Sequence, residues 1–246
     1  MERKHFLKSL LLGAAAGPAL LTACKKGDTV TPGSSSTTTG TTTTTTGGSS
    51  SSNCTVAPTE TEGPFPTHTP ASYVRSDITD GRTGYKMAAN ITITNSKGGC
   101  VALAGVLVDI WHCDAEGNYS EYGGSAMQST NYTSVHFLRG RQTTNSSGVA
   151  AFTSIFPGWY SGRATHIHVH VYSASGTSLN VTQIAFPEGT GTALAAVNGY
   201  AKGMSGYTYN KSDNVFSDDT AGIQIATVTG DTTSGFVLNI NLAVAA

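Results

Sequence analysis

Short segments in which apolar side chains recur at every second residue restrict the fold of this chain more than any other feature. Between residues 104 and 111, Val106, Val108 and Ile110 share one face, and the residues between them share the other. Successive side chains of a strand point to opposite sides, so this period of two predicts a strand with one buried face. Similar segments, separated by clusters of Gly, Asn, Asp and Ser, lie at residues 149–156, 165–172, 180–186, 223–229 and 236–244.

Helical periodicity is weak throughout the sequence. Residues 193–201 are predicted to form one short helix. The 29 glycines and the many Thr, Ser and Val residues suit short strands joined by turns. We therefore predict an all-β chain whose strands pack as a single β-sandwich domain with long loops.

The charge balance excludes several classes of function. Charged residues make up 12% of the chain, and the formal net charge is -1. This leaves no basic surface for nucleic acid and no polybasic patch for a membrane. The sequence also has no phosphate-binding loop, dinucleotide fingerprint or Gly-x-Ser-x-Gly elbow. We expect a small-molecule partner.

The first residues resemble a bacterial lipoprotein signal. Arg3, Lys4 and Lys8 precede an apolar stretch that ends in Leu21-Thr22-Ala23-Cys24. That stretch is shorter than the roughly 20 residues of a membrane-spanning helix. We predict a signal peptide at residues 1–23 and a lipidated Cys24 that anchors an exported protein on the periplasmic or cell-surface side. A plain secretory signal is the alternative, and both the general and the twin-arginine export routes stay open.

Residues 24–53 are predicted to form a disordered tether, because they are rich in Thr, Ser and Gly and have no apolar face to bury. The folded domain is then residues 54–246. It contains Cys54, Cys100 and Cys113, for which we expect one disulfide and one free thiol, with all three pairings open. Their spacing does not match a structural zinc site.

The histidines at residues 166–170 carry the strongest chemical signal. His166, His168 and His170 share one face of a predicted strand, and Ile167 and Val169 share the other. With its apolar face in the core, such a strand holds two neighbouring imidazoles still enough to bind one metal ion. His170 lies one step further, and we assign it a supporting or surface role.

Two tyrosines extend this pattern. Tyr160 precedes the histidine strand, and Tyr119 follows the strand that ends at Trp111. A phenolate is a hard donor, and metal coordination lowers the phenol pKa from its usual value of about 10. Two imidazoles and two phenolates suit ferric iron and leave a position open for substrate.

These residues belong to a series of motifs that resembles the intradiol ring-cleavage dioxygenases, which include protocatechuate and catechol dioxygenases. The motifs, in order, are TEGPF from Thr61, RSDI from Arg75, VDIWHCDA from Val108, GNY from Gly117, FLRG from Phe137, PGWY from Pro157, Arg163 through His168, and Thr182-Gln183. They span most of the chain beyond the tether. The residues around Trp111 resemble those of the exported branch of this family.

The resemblance implies a ferric ion held by Tyr119, Tyr160, His166 and His168. In this family, the tyrosine that matches Tyr160 leaves the metal when a catechol chelates it. Arg163 would stabilise negative charge on the substrate, and Gln183 would line the same pocket. The implied reaction uses O2 to cleave the ring between its two hydroxyl-bearing carbons, giving a muconate-type diacid.

Two further interpretations stay open at this point. A surface-tethered β-sandwich could be a binding module, for example for carbohydrate, and an iron-binding homologue could have an altered activity. Substrate and oligomeric state are also open. Of the neighbouring residues, we expect His112 to pack or hydrogen-bond and Trp111 to fill the sandwich interior.

Cys24→Ala is expected to abolish membrane attachment and leave catalytic activity unchanged, because the lipid would sit beyond a flexible tether. Cell fractionation and an activity assay of the exported protein check this. A Cys24→Ala protein that remained in the membrane fraction would contradict the lipid anchor, and one that was exported but inactive would contradict the independence of anchor and domain.

Overall fold

The computed structural model describes residues 55–246. The predicted signal peptide at residues 1–23, the tether at residues 24–53, Cys24 and Cys54 lie outside the described residues. Between residues 55 and 246, no helix has the length and apolar character that crossing a membrane requires.

Two sheets make up the folded part. The strands are β1 (Lys86–Asn95), β2 (Val101–Ala102), β3 (Leu107–Trp111), β4 (Arg139–Thr143), β5 (Val149–Ile155), β6 (His166–Tyr172), β7 (Ser178–Ala185), β8 (Thr227–Asp231) and β9 (Gly235–Val244). One sheet has the order β2-β1-β9-β8, with β5 also paired to β1, and the other has the order β4-β3-β6-β7. All pairs are antiparallel except β1 with β9.

One apolar core lies between these sheets. Ile91 of β1 and Leu238 of β9 come from the first sheet, and Ile110 of β3 and Val169 of β6 come from the second. All four are buried in the same cluster. Two sheets that share one core form a β-sandwich, which confirms the predicted fold class.

Most of the predicted strands are present with shifted ends. The last strand before β9 begins at Thr227 rather than at residue 223, because Ile225 makes only an isolated bridge to Ala185. The predicted helix is α1 (Ala193–Val197), which is shorter than expected because Asn198 adopts a left-handed conformation (φ 49°).

The sequence analysis missed β1, the two-residue β2 and β4. Burial alternates along β1, with Met87, Ala89, Ile91 and Ile93 inside. The sequence of β1 therefore does contain the apolar alternation that identified the other strands. Strand β4 reads Arg-Gly-Arg-Gln-Thr and has no apolar alternation. It is a strand because it pairs with β3 along its whole length.

The cysteines agree with the expectation of one disulfide and one free thiol. Cys100 is disulfide-bonded, and Cys113 is a buried free thiol. Burial raises the pKa of the Cys113 thiol far above its usual range, so this group stays protonated.

Candidate active site

Strand β6 presents the histidine pair on the face that points away from the core. Ile167 and Val169 are fully buried in the sandwich, while His166 and His168 are buried on the opposite face. The two Nε2 atoms lie 3.2 Å apart. The strand period therefore brings both imidazoles to one point, as the sequence predicted.

The two predicted tyrosines lie around the same point. The Tyr119 hydroxyl is 3.1 Å from His166 Nε2. The ring of Tyr160 lies 5.5 Å from that of His166 and 5.8 Å from that of Tyr119, centre to centre. Tyr119 belongs to the loop after β3, and Tyr160 belongs to the loop between β5 and β6. Four side chains from three segments thus meet at one site.

Neighbouring groups fix the two imidazole rings in different ways. His166 Nδ1 donates to the Ala164 carbonyl at 2.6 Å, and because a carbonyl only accepts, the lone pair of His166 is assigned to Nε2. His168 Nδ1 has no hydrogen-bond partner within residues 55–246. Its ring instead stacks on Trp111, with centres 4.9 Å apart and planes 3° from parallel.

Burial keeps all four groups neutral in the protein alone. It lowers the pKa of His166 to about 3 and that of His168 well below its usual value. Burial also raises the pKa of both phenols, although the Arg163 guanidinium opposes this rise at Tyr160. A cation at this point would favour deprotonation of the tyrosines, because its charge replaces the missing solvation.

The donor set fits a hard trivalent cation. Within the described residues, no group of three or more His, Cys, Asp or Glu side chains is placed to hold a metal ion. The site instead combines two neutral imidazoles with the phenol oxygens of Tyr119 and Tyr160. With a cation bound, two phenolates would supply the negative charge that carboxylates supply elsewhere, and hard oxygen donors suit ferric iron. His168 Nε2 lies 3.2 Å from His166 Nε2, so this nitrogen of the His168 ring is turned toward the other donors.

Arg163 and Gln183 lie beside this group, as expected from the sequence. Gln183 stands opposite His168 on the neighbouring strand β7. Its Oε1 accepts from Arg163 at 2.7 Å, and its Nε2 donates to the Thr61 carbonyl at 3.0 Å. Arg163 also pairs with Asp213, with 2.9 Å from Nε to Oδ2.

The segment around residue 63 closes one side of the site. Phe65 stacks on Tyr119 at 4.6 Å and meets Tyr160 edge-on at 5.9 Å. Gly63 lies so close to His168 that an added Cβ would be 2.8 Å from its Cε1 atom, and its φ of +68° favours glycine. Tyr119, His166 and His168 are almost fully buried, whereas Tyr160 is half-buried and is the most exposed of the four.

Two expectations for neighbouring residues have different outcomes. Trp111 is buried, but the prediction that it fills the sandwich interior is wrong. It packs on the site face against His168, because the alternation of β3 places Ile110 in the core instead. His112 is buried and hydrogen-bonds Cys113 O and Ser154 Oγ at 2.8 and 2.7 Å, which confirms the hydrogen-bonding role.

Other residues at the site were missed or lie beyond it. His170 contacts Glu62 and Ser178 at 3.0 and 2.8 Å, outside the four-residue group. Asp213 and Phe216 come from the long segment between α1 and β8 and were not identified from the sequence. No local pattern marks them, because their contacts with Arg163 and His166 join distant parts of the chain.

Known proteins share the sequence family and the fold of this chain. A protein-family model described as Dioxygenase matches residues 62–201, which is more than half of the chain. An intradiol ring-cleavage dioxygenase from Tetranychus urticae is 27% identical, with a TM-score of 0.66, and the match covers 78% of this chain and 94% of that chain. No curated protein sequence matches significantly.

Other solved structures share the fold. The dioxygenase domain of a dioxygenase carbohydrate-binding protein fusion from Streptomyces sp. SirexAA-E is 23% identical, with a TM-score of 0.54 and coverage of 77% of this chain and 97% of that chain. A 3-chlorocatechol 1,2-dioxygenase from Rhodococcus opacus 1CP is 17% identical, with a TM-score of 0.53 and coverage of 77% and 72%. At these identities the likeness concerns the fold alone.

Gly63→Ala is expected to destabilise the protein by about 1–3 kcal/mol and to reduce metal binding, because the added methyl group must displace the His168 ring. Gly81→Ala is the matched control, since Gly81 has a similar φ of +76° but open space around its Cβ position. Chemical denaturation and metal analysis measure both effects. Equal stability and equal metal content in the two variants would contradict the proposed contact.

Proposed function

Because this chain belongs to the intradiol ring-cleavage dioxygenase family, we propose that it opens catechol-type rings between the two hydroxyl-bearing carbons. Both atoms of O2 enter the product, which is a muconate-type diacid. Catechol, protocatechuate, hydroxyquinol and larger phenols remain candidate substrates.

The observation that carries this proposal is the meeting of two neutral imidazoles and two tyrosines at one buried point. His166 Nε2 lies 3.2 Å from His168 Nε2 and 3.1 Å from the Tyr119 hydroxyl, and Tyr160 is the most exposed member of the group. A carbohydrate-binding module has no need of such a group, so the arrangement favours catalysis over the binding alternative.

We propose that Tyr119, Tyr160, His166 and His168 hold a ferric ion. When bound, this ion would supply Lewis acidity that lowers the pKa of phenolic hydroxyls and makes a chelated catechol electron-rich enough to react with O2. Burial alone raises the pKa of both tyrosines, so their deprotonated state depends on the bound cation.

Tyr160 has the position of a group that yields to substrate. It is half-buried, whereas Tyr119, His166 and His168 are almost fully buried. A catechol that enters from solvent therefore reaches Tyr160 first. We propose that the Tyr160 phenolate oxygen accepts a proton from one catechol hydroxyl and moves aside, while the three buried residues stay in place.

Arg163 and Gln183 act on the charge of the substrate. The Arg163 guanidinium is held by Asp213 and Gln183 at 2.9 and 2.7 Å, so it faces the site in one orientation. A preorganised cation stabilises negative charge that develops on the substrate oxygens. Phe65 and Trp111 add apolar walls that keep water away from the reacting ring.

The location of the enzyme is proposed from the N-terminal sequence alone. We infer that it is exported and held at a membrane through lipidated Cys24, with no other membrane contact. A catalytic domain on a long tether would meet substrates outside the cytoplasm.

Tyr119→Phe and His166→Ala are each expected to lose iron or the visible absorption band, because each removes one metal ligand. Tyrosinate bound to ferric iron absorbs visible light, so an absorption spectrum with metal analysis provides the measurement. Tyr200→Phe is the control, since this half-buried tyrosine donates its hydroxyl to Phe156 O at 2.7 Å and is not one of the four proposed ligands. A variant of Tyr119 or His166 with a wild-type spectrum and iron content would remove that residue from the ligand set. Wild-type protein that binds iron with this spectrum but cleaves no catechol would instead support the altered-activity alternative.

Arg163→Met is expected to retain iron and colour but to slow ring opening by about ten- to a thousandfold, because the site loses one positioned cationic donor. Oxygen uptake with several catechols, compared at equal iron content, measures the effect. Arg141→Met is a control that breaks a different arginine–aspartate pair, the partly buried pair with Asp109. Unchanged turnover in Arg163→Met would reassign Arg163 to a structural ion pair.

A further inference from the structure

Asp213 is a fully buried carboxylate in the long segment between α1 and β8. A buried charge is costly unless several donors surround it. This residue lies beyond residues 62–201, which are the part of the chain that the dioxygenase family model matches. Its role therefore has to be derived from its contacts.

Three donors hydrogen-bond to the Asp213 carboxylate. Oδ2 accepts from Arg163 Nε at 2.9 Å and from the Ala164 amide at 2.7 Å, and Oδ1 accepts from the Val215 amide at 2.8 Å. Burial raises the pKa of Asp213, but these donors outweigh it and hold the pKa below its usual value. The group is therefore an anion with a fixed orientation.

Both groups that share Oδ2 lead directly to the active site. The Ala164 carbonyl accepts from His166 Nδ1 at 2.6 Å and so sets the orientation of that imidazole. Arg163 donates to Gln183 Oε1 at 2.7 Å through a terminal nitrogen, while Asp213 binds its Nε. One oxygen atom thus holds the backbone behind a metal ligand and the guanidinium beside the substrate.

We propose that Asp213 is a positioning residue of the active site, which orients Arg163 and, through the backbone of Ala164, His166. This inference rests on the proposed function for the role of Arg163 in ring opening. It makes the segment between α1 and β8 a part of the catalytic machinery rather than a loop that only covers it. Phe216 of the same segment supports this, since its ring lies 6.5 Å from that of His166 and 5.7 Å from the Arg163 guanidinium carbon.

A purely structural ion pair is the competing explanation, and two properties separate it from a positioning role. A structural pair affects stability without changing the contribution of Arg163 to kcat or the hold of His166 on the metal. A positioning residue changes both, because supporting partners of a metal ligand typically contribute about 10- to 100-fold to metal affinity or activity.

The experiment compares Asp213→Asn with Asp219→Asn in the full-length, metal-loaded protein. Asp219 is the matched control, because it lies in the same segment and accepts from the Ile223 and Gln224 amides without contacting Arg163. Nuclear magnetic resonance of protein loaded with diamagnetic gallium(III) follows the Arg163 Nε–H signal, which is assigned with Arg163→Met. The rate at which EDTA removes iron reports the hold on the metal.

Asp213→Asn is expected to shift the Arg163 signal and speed its hydrogen exchange, to accelerate iron loss by about 10- to 100-fold, and to lower kcat by a similar factor. Asp213→Glu, which keeps the charge, should recover part of the Arg163 signal. In the Arg163→Met background, Asp213→Asn should still accelerate iron loss through His166, but should lower kcat much less than it does alone.

Unchanged iron retention together with unchanged kcat in Asp213→Asn would overturn the proposal. So would a double variant whose loss of kcat equals the product of the losses in Arg163→Met and Asp213→Asn. If Asp213→Asn does not fold, the rate of iron loss is compared between Arg163→Met and the double variant, which removes both buried charges. Faster iron loss in the double variant supports the positioning role, and equal rates overturn it. If the wild type cleaves no catechol, the proposed function fails, but the gallium and iron measurements still test the role of Asp213.

Discussion

The burial of one face of β6 in the sandwich core is the constraint on which the whole site depends. Ile167 and Val169 are fully buried there, so the strand period forces His166 and His168 to the opposite face. A register slip of one residue would exchange the two faces. Exposing each apolar side chain would cost about 1.5–3 kcal/mol, so core packing holds the imidazoles in place.

A buried cation joins the loops around this strand. Arg139 is fully buried and donates to the carbonyls of Phe65 and Ser120 at 3.0 and 2.7 Å. Ser120 follows Tyr119, and Phe65 stacks on the Tyr119 ring. Burial lowers the pKa of Arg139, but Glu121, 3.6 Å away, opposes this shift and stabilises the charge. The position of Tyr119 therefore depends on a network of side chains and carbonyls rather than on a strand.

Two opposing electrostatic effects meet at the site. Burial keeps His166 and His168 neutral, which leaves their lone pairs available, and it also keeps Tyr119 protonated, which disfavours phenolate. A bound trivalent cation would stabilise both forms at once, because it accepts the lone pairs of the neutral imidazoles and attracts the negative charge of a deprotonated tyrosine. The positive charge of Arg163 is balanced by Asp213, so the guanidinium provides an oriented hydrogen-bond donor beside the site without adding a large net charge.

Sequence alone determined the fold class, most strands and the members of the central group, because the period of two is a local property and His166 and His168 lie on one strand. It did not reveal β4, which is a strand only through pairing with β3. The tertiary structure decided that Trp111 packs on the site face and that Asp213 holds Arg163 across 50 residues of chain. Such contacts depend on how separate loops pack against the sheets, and no pattern of neighbouring residues encodes that packing.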